Sequence, residues 1–302
     1  MASQKQIDDT YNYWDRFIRL SLGDTAEITC AMYDGDFSKS LEQAQADKHE
    51  YILRNIGFRP GFRVLDVGCG WGPILKAVAD GGGDAVGITL STQQAESCRR
   101  QGFNVHLLNW NMLRPETFGS FDGIVSVGAF EHFCSPEEFV AGNQDAIYSD
   151  FFRICRSLLP NGGRLYLQTM LWGPTPPRYE DFSLAADKSS QGYILAVLEK
   201  FYPGSWLPLS IEQIGRCAQP YFELISCNNG RRDYIETLAQ FGKRTRQFKL
   251  RKLIEVVKLL PRFCVDRNFR YQIESAFRRG GYNRYCFVHN IMDHQRMTLQ
   301  TI

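Results

Sequence analysis

A chain of 302 residues with 44% hydrophobic and 23% charged side chains has ordinary globular composition, which excludes a disordered or collagen-like chain. Thirty-five Lys and Arg against 33 Asp and Glu give a net charge of +2, too little for a protein that holds nucleic acid mainly by neutralising phosphates. Nine cysteines with no C-x-x-C pair exclude a zinc ribbon and a closed disulfide framework, and point to a reducing, cytoplasmic setting.

The first 35 residues mix aromatics (Tyr11, Tyr13, Trp14, Phe17) with charge and predict a helical arm or lid followed by a loop. They hold no apolar core of a signal peptide, and no run of the chain is apolar enough for a transmembrane helix. Leu41, Ala44, Lys48, Tyr51, Ile52 and Ile56 predict an amphipathic helix over 39–56. Short apolar runs at 63–67, 85–90, 105–108, 123–127 and 164–170 read as strands. Helical windows at 72–80, 91–101 and 145–158 fall between most of them, which predicts βαβ units and a mostly parallel sheet. Ser135-Pro136 followed by Glu137 and Glu138 reads as the acidic first turn of a helix. Beyond 171, the spacing predicts a Pro-rich loop over 172–189, helices over 190–201 and 210–219, and a strand over 222–227. A long helix over 234–260 is expected to end at Pro261, a further one near 266–279 at Gly280-Gly281, and 284–291 reads as the last strand.

The strongest local signal is Leu65-Asp66-Val67-Gly68-Cys69-Gly70-Trp71-Gly72. Residues without Cβ let a strand turn sharply into a helix and approach a ligand closely. A dinucleotide loop reads G-x-G-x-x-G, with an acid at the end of the next strand. Here the spacing is G-x-G-x-G, and the next strand ends Gly87-Ile88-Thr89-Leu90 without an acid. That favours a nucleoside lacking a pyrophosphate, with Thr89 and Gln94 facing ribose hydroxyls. Ser91-x-x-Gln94 also fits a helix capping box, and both roles are compatible.

Further segments repeat a known order and spacing: Thr29-Cys30-Ala31-Met32-Tyr33, Leu41-Glu42-Gln43-Ala44-Gln45, Ile124 through Phe133, and Tyr202 through Pro208. Together they resemble the cyclopropane fatty acid synthase family of S-adenosylmethionine-dependent methyltransferases, with the mycolic acid cyclopropane synthases the nearest branch in length. The resemblance runs from residue 28 to 290. It implies an α/β, Rossmann-like class I methyltransferase fold, with a mostly parallel seven-stranded sheet, helices on both faces and a helical cap. A single domain over 1–302 is then expected: arm 1–35, cofactor-binding core 36–171, cap and substrate region 172–283, last strand and tail 284–302.

The resemblance also implies site residues. S-adenosyl-L-methionine would contact Ile28, Thr29, Asp66, Gly68, Gly70, Gly72, Thr89, Gln94, Asn109 and Trp110, with the glycines around its methionine part and Trp110 beside adenine. Plain core packing also accounts for Trp110. In the family a bound bicarbonate takes the proton, and the matching cradle residues are Cys30, Glu131 and Tyr234. The family's His-Thr-Ile after the fifth strand is here Gln168-Thr169-Met170. Gln168 donates through its amide but carries no titratable proton, so ring closure is less secure than methyl transfer. His132, beside Glu131, resembles the Glu-His pair of plant benzylisoquinoline N-methyltransferases, and a satisfied structural histidine fits it equally.

The expected function is transfer of a methyl carbon to a carbon–carbon double bond of a lipid or acyl chain, by cyclopropanation or C-methylation. C- or N-methylation of a small unsaturated metabolite is the alternative, and an inactive cofactor-binding partner a third. Residues 243–262 form a basic amphipathic stretch, read as a solvated helix face or a contact with an anionic membrane surface or an acyl carrier protein. The enzyme would then be cytoplasmic and peripheral at the membrane, with no nucleic-acid partner and no oligomeric state implied.

Overall fold

The computed structural model describes residue 22 and residues 27–247, 250–267 and 281–302. Of the predicted arm over 1–35 only residue 22 and residues 27–35 are described, and the helix expected near 266–279 lies outside the described residues beyond 267. Helix α1 (Leu41–Asn55) precedes an alternating series: β1 (Arg63–Val67), α2 (Pro73–Asp80), β2 (Asp84–Thr89), α3 (Thr92–Arg100), β3 (Asn104–Leu107), α4 (Pro115–Phe118), β4 (Gly123–Val127), α5 (Pro136–Val140), α6 (Gln144–Leu158) and β5 (Arg164–Trp172). Then come α7 (Gln191–Phe201), α8 (Ile211–Ala218), β6 (Phe222–Asn229), α9 (Arg231–Arg246), α10 (Leu250–Val265), helical residues 281–288 (α11) and β7 (Met292–Thr301).

The seven strands form one sheet in the order β3-β2-β1-β4-β5-β7-β6. The first five are parallel, and β7 runs antiparallel between β5 and β6. Crossover helices cover both faces of the parallel part, so β1 and β4 are near-continuous apolar runs, buried along almost their whole length. Serines begin the helices where the sequence changes from strand to helical period. Ser40, Ser91, Ser190 and Ser210 each accept an N–H from the first turn, and Ser135 with Glu138 closes a full capping box on α5.

The main core packs β4 and β5 against α6 and α8 through Phe130, Tyr148, Phe151, Phe152 and Leu167. Each such side chain contributes about 1.5–3 kcal/mol by burial. A second cluster, with Trp172, Leu195, Leu198, Trp206, Phe287 and Met292, forms the cap beyond the carboxyl end of β5. Among the described residues, no helix is long and apolar enough to cross a membrane.

Two expectations are corrected. Residues 284–291 do not form the last strand: 281–288 are helical, with Cys286 and Phe287 buried, and β7 starts at Met292. Its residues Asp293, His294, Gln295, Arg296 and Thr298 are polar yet mostly buried, so the strand gives no apolar run. The stretch 234–260 is not one helix ended by Pro261. It breaks at Gln247, whose backbone is extended, and Pro261 sits inside α10. Proline there removes a single helical hydrogen bond close to the helix end, where water can reach the freed carbonyl.

Candidate active site

Beyond the carboxyl ends of β1, β2 and β4 lies a cavity of about 1040 Å³, where open α/β sheets take ligands. The glycine loop forms its floor. Gly68 has φ +86°, and a Cβ on it would stand 2.4 Å from the Ala129 Cβ, so only glycine lets the two loops meet. Gly70 lines the cavity, whereas Gly72 does not. Gly72 starts α2 at φ +86°, packed against Cys98 and Phe103. Ile28, Thr29, Asp66, Thr89, Gln94, Asn109 and Trp110 all line the wall. The Thr89 hydroxyl donates to Gln94 Oε1 (2.9 Å), while Ser91 Oγ accepts the Gln94 N–H. Gln94 thus serves both as helix start and as cavity wall, though its side chain closes no capping box. Trp110 likewise serves both readings: it lines the cavity and packs on Phe133 and Phe151, with ring centroids 5.1 and 5.5 Å away.

Electrostatics distinguish this cavity. Among the described residues its wall holds Glu27, Asp66 and His132 but no Lys or Arg. Asp66 is buried and, among the described residues, its side chain receives no hydrogen bond. Burial, reinforced by the nearby charge of Glu27, raises its carboxyl to about 8. A wall without basic side chains, holding a buried carboxyl that a cation would help to ionise, fits S-adenosylmethionine, which brings a sulfonium and an ammonium.

Sequence reasoning missed a second buried group. Lys48, fully buried, donates to Glu27 and to Thr29 Oγ1 (2.8 Å), and His49 Nε2 lies 2.9 Å from Glu27 Oε2. Burial alone would raise the Glu27 carboxyl, but Lys48 and His49 outweigh it and hold it at about 2. This ion pair pins residues 27–29 over the cavity. Its one sequence signal is a lysine on the apolar stripe of α1.

A smaller cavity of about 520 Å³ adjoins the first, and His132 lines both. Glu131 lines it too. Glu131 Oε1 accepts the Met170 N–H at 2.7 Å, and Oε2 has no partner among the described residues. Burial raises this carboxyl to about 7. His132 Nδ1 lies 2.6 Å from Ser205 Oγ, and burial lowers its pKa to about 4, so it is neutral at pH 7.

The other expected reaction-centre residues come together, but behind these walls. Cys30 points its thiol at the carbonyls of Ala31 (3.2 Å) and Gly230 (3.5 Å), and burial pushes it up to about 12. Gln168 Nε2 donates to the Cys30 carbonyl (3.2 Å), and its Oε1 accepts from the Tyr166 hydroxyl. Arg296, missed within the expected tail, donates to Ala31 O and to Asp233, both at 2.8 Å. Tyr234 packs on Phe287 and on the ring of His294. Neither Cys30, Gln168 nor Tyr234 lines the two cavities. The thiol and the amide are turned to protein carbonyls, and this donor set does not fit a bound bicarbonate.

Residues 1–280 match the family described as mycolic acid cyclopropane synthetase. Cyclopropane mycolic acid synthase 1 of Mycobacterium tuberculosis is 32% identical over 213 residues, covering 69% of this chain and 70% of the relative. Cyclopropane mycolic acid synthase 3 of the same organism is 30% identical over 278 residues, 89% and 91% of the two chains. Among solved structures, mycolic acid cyclopropane synthase CmaA1 complexed with SAH and CTAB superposes with a TM-score of 0.76 at 25% identity, covering 99% of this chain and 98% of that one.

Proposed function

The chain belongs to the mycolic acid cyclopropane synthetase family, and on that premise we propose that Glu131 is the centre of its reaction, both steadying the cation formed on the acceptor and removing its proton. The enzyme is an S-adenosylmethionine-dependent transferase that adds a methyl carbon to a carbon–carbon double bond of a lipid or acyl chain.

When bound, S-adenosylmethionine supplies an electrophilic methyl group. Gly68, Gly70, Thr89, Gln94, Asn109, Trp110 and residues 28–29 would hold it, with Asp66 offsetting its positive charge. An isolated double bond is a weak nucleophile, and its attack leaves a carbocation. Trp172, Phe182 and Trp206 wall off water and offer π faces to that cation. The Glu131 carboxylate lowers its energy, and Oε2 then accepts a proton from the newly added methyl. The electron pair of that C–H bond closes the third ring bond. Neutral His132, held by Ser205, shapes the passage between the cavities. Cys30, Gln168 and Tyr234 act behind the wall, Gln168 by fixing the Cys30 backbone.

The observation that carries this reading is the unpartnered, buried Oε2 of Glu131 in a cavity adjoining the cofactor site. Glu131→Gln keeps the shape and removes the base. Methyl transfer should fall by roughly 10² or more, the scale of a lost acid–base group, while calorimetric affinity for S-adenosylhomocysteine stays within about threefold. Equal methyl-transfer rates for the two proteins would remove Glu131 from the reaction.

The basic stretch 243–262 is assigned to an anionic membrane surface rather than to an acyl carrier protein. Leu253, Ile254, Val257 and Leu260 of α10 are exposed, and the sequence of this stretch is rich in lysine and arginine, a combination that suits an anionic lipid interface.

A further inference from the structure

We propose that the acceptor carries a hydrogen-bond donor, a hydroxyl or a protonated amine, within a few carbons of its double bond, and that Glu199 binds it. This rests on the methyl-transfer reading above and names the substrate class of the same site.

The acceptor cavity is not a plain hydrocarbon slot. Among its described lining residues are two carboxyls, Glu131 and Glu199, together with His132, Tyr202, Ser205 and Asn283, and no Lys or Arg. Glu199 sits on α7 one turn beyond Leu195, half-buried, between the apolar walls of Leu198 and Phe182. Its polar neighbours are the Tyr179 hydroxyl and the Glu137 carboxylate, and burial together with Glu137 raises its pKa. Among the described residues no cation pairs with it. On the same wall the Tyr202 hydroxyl accepts from Asn283 Nδ2 at 3.3 Å. A hydrocarbon chain filling this cavity would strip Glu199 of water and give nothing back, a costly arrangement for a carboxylate. A ligand donor removes that cost.

Two further facts point the same way. Among the described residues, Glu131 Oε2 is a buried acceptor without a partner. The site therefore holds polar capacity beyond what its own fold uses. Glu131 and Glu199 line the same small cavity, so a double bond beside Glu131 and a donor at Glu199 belong to one short stretch of the ligand. The same two carboxyls repel an acceptor whose carboxylate or phosphate is equally near the double bond.

The test uses the purified full chain saturated with S-adenosylhomocysteine, and four probes of one length: cis-dec-4-en-1-amine, cis-dec-4-en-1-ol, cis-dec-4-enoate and cis-dec-4-ene. Trp172 and Trp206 in the wall make tryptophan fluorescence the readout. The amine or the alcohol should bind about tenfold tighter than the enoate and the alkene, and the order of those two identifies the donor. In Glu199→Gln that advantage should shrink to about threefold or less, with S-adenosylhomocysteine affinity unchanged as the sign of an intact fold. The proposal is overturned if the enoate or alkene binds as tightly as the amine and alcohol. Binding of no probe, or a preference that survives in Glu199→Gln, overturns it equally. The readout needs no turnover, so a protein that orders the probes as expected but methylates no alkene would contradict the methyl-transfer reading alone.

Discussion

Burial raises two carboxyls of the proposed site, Glu131 to about 7 and Asp66 to about 8, and each makes a pH prediction. As the proposed base, Glu131 would act as the carboxylate, so methyl-transfer kcat should rise with pH through about 7 and then level; a flat profile from pH 5.5 to 8.5 would contradict that role. Asp66 in the free protein is mostly protonated at pH 7, and a cationic ligand favours its carboxylate. Binding of S-adenosylmethionine at pH 7 should therefore release a proton, seen as a calorimetric heat that varies with the ionisation enthalpy of the buffer. That release should vanish in Asp66→Asn. Asp66, Thr89 and Gln94 were legible in the sequence because they sit in or beside a glycine loop or at a strand end, and Glu131 through the family resemblance alone. Lys48 and Glu27 were not, because a lysine on an apolar helix stripe declares nothing until the distant glutamate that neutralises it is in place. Cys30, Gln168 and Tyr234 were legible as a group, but not as residues behind the wall, since nothing in their spacing says that the thiol and amide bind protein carbonyls.

At the scale of elements, the glycine loop separates conformational strain from contact. Gly68 and Gly142 both hold positive φ, at +86° and +77°. A Cβ at Gly68 collides with Ala129, while one at Gly142 meets nothing within 4 Å. Alanine at either position should cost about 1–3 kcal/mol in stability from backbone strain, but only Gly68→Ala should weaken S-adenosylhomocysteine binding, by about tenfold or more. Equal affinities for the two variants would mean that the loop is not a binding element. Helix α10 makes a second prediction at this scale. The protein should float with vesicles containing anionic phosphatidylglycerol and not with phosphatidylcholine alone. Leu253→Asp combined with Val257→Asp should abolish flotation, and flotation that persists would assign the surface elsewhere. The break at Gln247 and the strand β7 were hidden for the same reason. Local periodicity sees one helical pattern running through Gln247, and a run of polar residues where a buried strand lies. Polar residues of β7 meet other elements: His294 packs on the Tyr234 ring, Gln295 Oε1 accepts from the Cys227 thiol, and Arg296 joins Asp233 of α9 to Ala31.

At the scale of the whole molecule, five parallel strands and an antiparallel pair place both cavities at one end of the sheet, with the cap closing the second. Alternating apolar runs and helical windows made the sheet legible. The packing of the cap was not, because Trp206, Trp172 and Phe287 meet across more than a hundred residues and no local pattern records that meeting. The central claim is that a methyl carbon passes to an alkene carbon and loses a proton to Glu131. The most direct test incubates the purified enzyme with S-adenosylmethionine bearing a trideuterated methyl group and an unsaturated lipid extract, followed by mass spectrometry. A product with its double bond consumed and a new carbon retaining two deuterons is the predicted result. An intact double bond with all three deuterons on nitrogen or oxygen would contradict it.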